Sequence, residues 1–573
     1  MAKPKKAKKP KLKLTAEQRR AKKIKSDHIR AARAVFRNSG FDRAPELAEK
    51  EVSFSGQAGE FDDAFVYENV ILLIEYTTSQ SSDVTDHLKK KKIIFRKILD
   101  DQEGFINYLK DRFPKFSERL GNTYWIDRYI LKIIYCSYNR YEANVKSVVD
   151  EPVYLDYPYL KYFEKISAII RLSAQPELLQ FLGIAPEEIG DAGKFVKKGA
   201  TEPYHGSILP EEASGYPKGY KVVSFYADAA SLLQRSFVLR RSGWRGSFEA
   251  YQRMLIPSKI ESIRTLLKST GQVAVNNIIA TLPSDVNPVK DGKTVDISKL
   301  SKTEPVEIAL PVRTNSIGLV DGQHRLYSYY RSRTDDPDIA RLRNQQNLLV
   351  TGIIYPDGTP PAERERFEAS LFLSINSNQT GAPPELKQEI EVVLNPFSPT
   401  AVGKQVMQRL ALLGPLAGQV ETFFYDKGKL KTSSIVSYGL GPLLKTGGTD
   451  SLYSVFSHPE KDKLANGTSQ AALDAYLQFS VTNINIFLNA VRANIPSERW
   501  TTERSQAGRL LSVTYINAFL ITLRLLVANK HPIEFDPLKK RLAGIEKFPF
   551  DSFHSSQYNR MAERLYEEHF AAN

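Results

Sequence analysis

The alternation of apolar and polar positions divides the chain into segments. Over 15–38, Ile24, Ala31, Ala32, Val35 and Phe36, with His28 among them, recur at helical spacing. Thr15 can cap this helix and Ser39-Gly40 can close it. Residues 54–76 alternate with the two-residue period of strands, and helices over 83–99 and 104–113, a strand over 129–136 and a helix over 160–182 complete a first α/β unit. Residues 185–219 lack periodicity and collect Gly and Pro, which predicts an interdomain linker. A second α/β unit opens with a strand over 221–225. It includes a helix over 259–269, strands over 277–282, 317–320 and 348–355, and a helix over 362–372. From 388 to 570 the pattern is mostly helical, with strand or loop material near 420–430. The expected class is α/β. Its parts are an arm (1–26), an α/β domain (27–184), a linker (185–219), a central α/β domain (220–400) and a mostly helical C-terminal region (401–573).

Composition changes this picture in two places. A single cysteine, Cys136, excludes a disulfide within the chain and suits a reducing cytoplasm. No apolar run is long enough for a membrane span, and no apolar signal core follows the first lysines, so the expectation is a soluble cytoplasmic protein without a membrane partner. The net charge of +15 is concentrated: residues 1–26 hold twelve Lys or Arg against Glu17, which leaves only +4 for the body. An arm of this kind, with Lys5, Lys6, Lys8 and Lys9 at its centre, either binds nucleic-acid phosphates through counterion release or serves as a solubilising tail.

Candidate chemistry lies first in a hairpin. If Glu68-Asn69 is a two-residue turn, Asp62 faces Glu75 and Glu60 faces Thr77 across the strands. Alternation then places Phe61, Phe65, Tyr67 and Tyr76 on one face, with Glu60, Asp62, Glu75 and Thr77 at the open end of the other. Two carboxylates about 5 Å apart repel by roughly 3 kcal/mol at an effective dielectric of about 20. A magnesium or manganese ion between them relieves that repulsion, and so would neighbouring lysines. The next helix carries Lys89 to Lys92, and the apolar stripe of Val84, Leu88, Phe95 and Leu99 leaves a gap at Lys91 and Lys92. Either lysine could lean over the carboxylates and stabilise phosphorane charge, while Lys89 and Lys90 face solvent.

Gly59-Glu60-Phe61-Asp62, then Ile74-Glu75-Tyr76-Thr77, then lysines on the following helix, resembles the PD-(D/E)XK nuclease core over residues 28–180. The resemblance implies metal ligation by Asp62 and Glu75, with Glu60 beside them, and a metal-dependent DNA endonuclease that cuts both strands as a homo-oligomer. Where that family has a lysine two positions after the second acid, this chain has Thr77, and Lys91 or Lys92 is the substitute.

The second motif is Asp321-Gly322-Gln323-His324-Arg325, between a short apolar run and Leu326-Tyr327-Ser328-Tyr329-Tyr330. It reads either as a solvated surface turn or as a strand-to-helix turn that holds an anion. With Tyr251-Gln252-Arg253 upstream and Phe372 to Asn376 and Gln379 downstream, it is similar to the DGQHR domain of DndB-type proteins, relatives of ParB and sulfiredoxin folds, over 215–400. This resemblance implies a nucleotide- or phosphate-binding cleft for ATP or another NTP. There Arg325, Arg253 and His324 would hold the anion, Asp321 or Asn376 would orient a metal or water, and Gly322 and Gln323 would line the turn. Asp321 and Arg325 pairing with each other to lock the turn is the structural alternative. Together the resemblances imply a nuclease with a sensing domain in defence against foreign DNA, or a DNA-binding regulator of a DNA-modification system with a degenerate nuclease fold.

Overall fold

A computed structural model describes residues 15–79, 81–139, 143–185, 188–190, 200–240, 244, 254–377 and 383–571. The chain is mixed α/β and forms two compact units. One comprises Met1–Val238 and Leu255–Asp357, the other Leu239–Met254 and Gly358–Asn573.

The first unit holds the sheets. Helix α1 (Ala16–Asn38) starts at Thr15, whose side chain and that of Gln18 cap each other's backbone amides, and it buries His28, Ala31, Ala32, Val35 and Phe36 as the periodicity predicts. β1 (Asp42–Arg43) follows. Then β2 (Lys50–Phe54) and β3 (Gln57–Phe61) make a separate two-stranded ribbon. β4 (Asp63–Tyr67), β5 (Val70–Thr77), β6 (Ile130–Ser137) and β7 (Val153–Leu155) complete a five-stranded sheet in the order β1-β4-β5-β6-β7. β4 and β5 are antiparallel, whereas β5, β6 and β7 run parallel. Helix α2 (Ser81–Asp100) supplies Leu88, Phe95 and Ile98 to the core on one face of this sheet. On the other face Phe36 of α1 meets Phe65, with ring centroids 4.9 Å apart. The helix expected over 160–182 is interrupted, spanning Tyr157–Ile170 and then Gln175–Phe181.

A nine-stranded mixed sheet follows in the same unit. Its strands are β8 (Thr201–Ile208), β9 (Lys221–Asp228), β10 (Ser236–Phe237), β11 (Ile278–Leu282), β12 (Pro288–Lys290), β13 (Lys293–Thr294), β14 (Glu304–Pro311), β15 (Ile317–Asp321) and β16 (Asn347–Ile354), ordered β10-β15-β11-β16-β9-β8-β14-β12-β13. β8 corrects the linker expected over 185–219, because it pairs along its whole length with β14 and at its end with β9. Its glycine is a packing residue: a Cβ at Gly206 would sit 2.2 Å from the Ser224 carbonyl oxygen. Composition resembling a flexible link therefore belongs to a strand pressed against its neighbour.

The parts of this unit built on the five-stranded and nine-stranded sheets are tied by hydrogen bonds. Leu172 N–H donates to the Arg331 carbonyl, Arg331 N–H to Ser173 Oγ, and Asn315 Nδ2 to the Pro176 carbonyl. Arg333 donates to the carbonyls of Arg37, Gly40 and Phe41 and pairs with Asp42 at 2.8 Å, so it completes the end of α1.

The second unit is helical, with one core containing Val406 and Leu410 of the helix Pro399–Leu410, Leu473 to Val491 of Gln470–Arg492, and Ile516 to Val527 of Val513–Ala528. Near 420–430 a single bridge joins Val420 and Leu430. Among the described residues no helix is long and apolar enough to cross a membrane.

Candidate functional site

β5 lies between β4 and β6, and all eight of its residues are buried. Ile71 and Leu73 belong to the core under α2, so alternation sends Glu75 to that same face, where it is 3% exposed. A carboxylate buried on a strand needs compensation. It comes from Lys91, one of four consecutive lysines on α2, whose ammonium donates to the Glu75 carboxylate and, at 2.8 Å, to the Glu60 carbonyl. Burial nonetheless outweighs the Lys91 charge and pushes the Glu75 pKa up to about 7, with Asp62 and Glu60 adding like-charge repulsion.

Asp62 occupies the bend between β3 and β4, and its carboxylate accepts the Tyr76 N–H at 2.7 Å. The register expected for the hairpin holds from Tyr67↔Val70 to Asp63↔Ile74. It stops there, which corrects the facing pairs Asp62–Glu75 and Glu60–Thr77. β3 leaves the ladder and folds back on β2, where Glu60 is opposite Glu51. Asp63 is the last residue in register. Fully buried, it accepts from Arg33 and Arg43 at 2.6 Å each and from the Tyr76 hydroxyl at 3.3 Å. Two adjacent acids thus point to different surroundings, Asp63 to a pair of guanidiniums and Asp62 to the strand carrying Glu75. The bend also moves Phe61 to the α2 side, where it stacks on Phe95 at 6.0 Å, instead of the Phe65 face expected for it.

Of the two candidate lysines only Lys91 reaches the carboxylates. Lys92 donates instead to the Val148 carbonyl at 2.6 Å, a correction to its expected place beside Lys91. Lys89 and Lys90 are exposed, as expected. Thr77, at the position where a lysine would stand in the resembled family, is 9% exposed and interacts with Tyr135.

Sequence reasoning missed His87. It precedes Lys91 by one helical turn, which puts both on one face of α2, and its Nδ1 lies 3.0 Å from the Tyr135 hydroxyl. Burial, then the Lys91 charge, lowers the His87 pKa, so the ring is neutral near neutral pH. The available signal was the spacing of a histidine four residues before a lysine aimed at buried acids.

Among the described residues no three His, Cys, Asp or Glu side chains gather as a metal-binding group. The donors at hand are the Asp62 and Glu75 carboxylates with the Glu60 carbonyl beside them. That set fits magnesium or manganese, which are commonly held by one or two carboxylates plus substrate phosphate oxygens and water. A cation would also offset the like charges that raise the Glu75 pKa.

The DGQHR turn sits in the other sheet. β15 ends at Asp321, and Gly322 takes φ +98° before the short helix Gln323–Tyr327. Only glycine suits this place, since a Cβ would meet Ile278 at 3.1 Å and Arg325 at 3.2 Å. Arg325 pairs with Asp321 at 2.9 Å and donates to the Asn277 carbonyl. His324 Nε2 accepts the Ile256 N–H at 3.0 Å, which puts any proton of the neutral ring on Nδ1, and Gln323 is 8% exposed. After the turn, Arg264 donates to the Ser328 carbonyl and lies 4.0 Å over the Tyr330 ring, while Arg343 binds the Tyr329 and Tyr330 carbonyls and Asp335. These are the contacts of the locked-turn alternative. Arg253, the side chain of Asn376, and Lys5, Lys6, Lys8 and Lys9 lie outside the described residues. Asp62, Glu75, Glu60 and Lys91 are therefore brought together on the α2 side of β5, and Asp321, Gly322 and Arg325 at the end of β15. Compared with protein-family models, with curated proteins and with solved structures, the chain finds no match.

Proposed function

We propose that the chain is a DNA endonuclease dependent on magnesium or manganese, with Asp62 and Glu75 as the metal-holding carboxylates and Lys91 as the catalytic cation. The observation that carries this reading is the convergence of Lys91 on Glu75 beside Asp62, three groups from a strand, a bend and a helix. Bound there, the metal would polarise a scissile phosphodiester and lower the pKa of a water. Once the Glu75 charge is shared with a cation, the Lys91 ammonium is free to turn toward the phosphate and stabilise its developing charge. His87, neutral and one turn away, is in place to accept a proton at its ring nitrogen. Lys91 thereby takes the part that Thr77 cannot, which favours an active enzyme over a binding module with a degenerate nuclease fold. The DGQHR turn acts in this reading as a structural lock, because Arg325 is committed to Asp321 and Asn277.

Plasmid nicking with magnesium or manganese tests the proposal. Asp62→Ala and Glu75→Ala should each abolish cutting while leaving DNA binding measurable, and undiminished cutting by both variants would overturn it.

A further inference from the structure

Helix α1 carries a basic groove that the catalytic reading does not use. A concavity of about 730 Å³ runs beside the helix and is walled by Lys22, Lys25, Arg30, Arg33, Arg37 and Arg43. Phe41 and Phe65 contribute to its apolar lining. Its acidic residues are Asp42 and Glu49, and Asp42 is already engaged by Arg333. Arg33 and Arg43 are committed to Asp63, and Arg30 pairs with Asp27. Among the described residues, Lys22, Lys25 and Arg37 make no ion pair, and all three are exposed.

Residues 22, 25, 30, 33 and 37 lie on one side of the helix, within an arc of about 140°, and the groove runs beside them. From Lys22 to Arg37 the helix rises about 22 Å, enough to pass about six successive phosphates of one strand of a duplex lying along it. A long concave track receives a ridge of linked phosphates, whereas an anionic membrane offers a flat surface and favours a convex or planar basic face. Arg33 and Arg43 are fixed by the buried Asp63, so two of the cations are held in place before any ligand arrives. The lysine-rich residues 3–13 directly precede this helix in sequence.

We infer that the α1 groove is a phosphate track for double-stranded DNA, separate from the α2-side carboxylates, which holds the duplex while the Asp62–Glu75 site acts on it. The inference rests on the nucleic-acid substrate proposed above.

The test uses the full-length chain carrying Asp62→Ala, in chelator, so that no DNA is cut. Binding of a labelled duplex is followed by fluorescence anisotropy over a salt series, with and without Lys22→Ala, Lys25→Ala and Arg37→Ala combined. Each phosphate contact contributes about 0.9 to the slope of log K against log salt, so the triple variant should lower the slope by about 2.7. An unchanged slope and affinity would overturn the inference, as would loss of binding to phosphatidylserine vesicles with DNA binding intact. Plasmid nicking by the chain with Asp62 restored separates the two ideas. A lowered slope with no nicking in any metal removes the nuclease and keeps the track, whereas nicking with an unchanged slope keeps the nuclease and removes the track.

Discussion

Replacing Glu75 with glutamine keeps the side chain's shape and removes a charge from a position only 3% exposed. With its pKa raised from 4.5 to about 7, the carboxyl is protonated in both the folded and the unfolded chain at low pH, and there it costs nothing. As pH rises through 4.5 the unfolded chain loses this proton first, so stability falls until the folded carboxyl also ionises at about 7. The interval corresponds to about 3 kcal/mol, at ~1.36 kcal/mol per pH unit. Glutamine does not titrate and escapes this loss, while Lys91 keeps its 2.8 Å bond to the Glu60 carbonyl. Glu75→Gln should therefore match the parent at low pH and exceed it by up to about 3 kcal/mol near pH 8. Hydrogen exchange of peptides covering β5 and β6, in chelator, measures this locally and does not require the whole chain to unfold in one step. Magnesium should raise protection in the parent and not in the variant, since a ligand that binds only the folded state stabilises it. Equal protection at both pH values, or a loss near pH 8, would refute the account of Glu75 as a charge held at a cost.

Asp63→Ala should destabilise the first unit by about 2–3 kcal/mol, because it leaves two partly exposed guanidiniums and a tyrosine hydroxyl without their buried acceptor; thermal denaturation reads this out. Lys91→Ala should remove metal-dependent nicking, whereas Lys92→Ala, which loses only a bond to the Val148 carbonyl, should nick like the parent. Gly322→Ala combines positive φ with contacts to Ile278 and should cost about 1–3 kcal/mol in denaturant unfolding.

Periodicity was enough for α1, α2 and the strands β5, β6, β9, β11, β15 and β16, but it joined Tyr157–Ile170 and Gln175–Phe181 into one helix and passed over β14. The stripe of α1 and its Thr15 cap could be read directly, and so could the face of α2 that holds Leu88 and Phe95. The acids at 62 and 75 and the lysine at 91 were legible because a polar residue inside an apolar strand, and a lysine in an apolar stripe, break a pattern. The break at Asp62 was not. It falls just before Asp63, the last residue in the expected register, which Arg33 and Arg43 hold from 30 and 20 residues away. β8 was hidden for a related reason, since Gly206 answers to the carbonyl of Ser224 on another strand and composition cannot report that proximity. At the DGQHR turn the residue types were visible, but the commitment of Arg325 to Asn277 is a contact across 48 positions.

Arg333 has a bearing on how the chain is made. The last carbonyls of α1 and the Asp42 carboxylate wait for a guanidinium 291 residues further along. At ordinary rates of synthesis that interval is roughly 15–60 s, during which the Gly40 and Phe41 carbonyls lack this donor while Gln175 already holds the Ser39 carbonyl. The five-stranded sheet can form early, but the joint around residues 37–42 closes only when the second sheet arrives. A fragment cut after residue 184 would keep Asp63, Glu75 and Lys91 and remain at that halfway stage, with the Arg333 contacts and the residue 172–173 amide and hydroxyl contacts open. The catalytic candidates are local in sequence, while the finish of their scaffold is borrowed from far downstream.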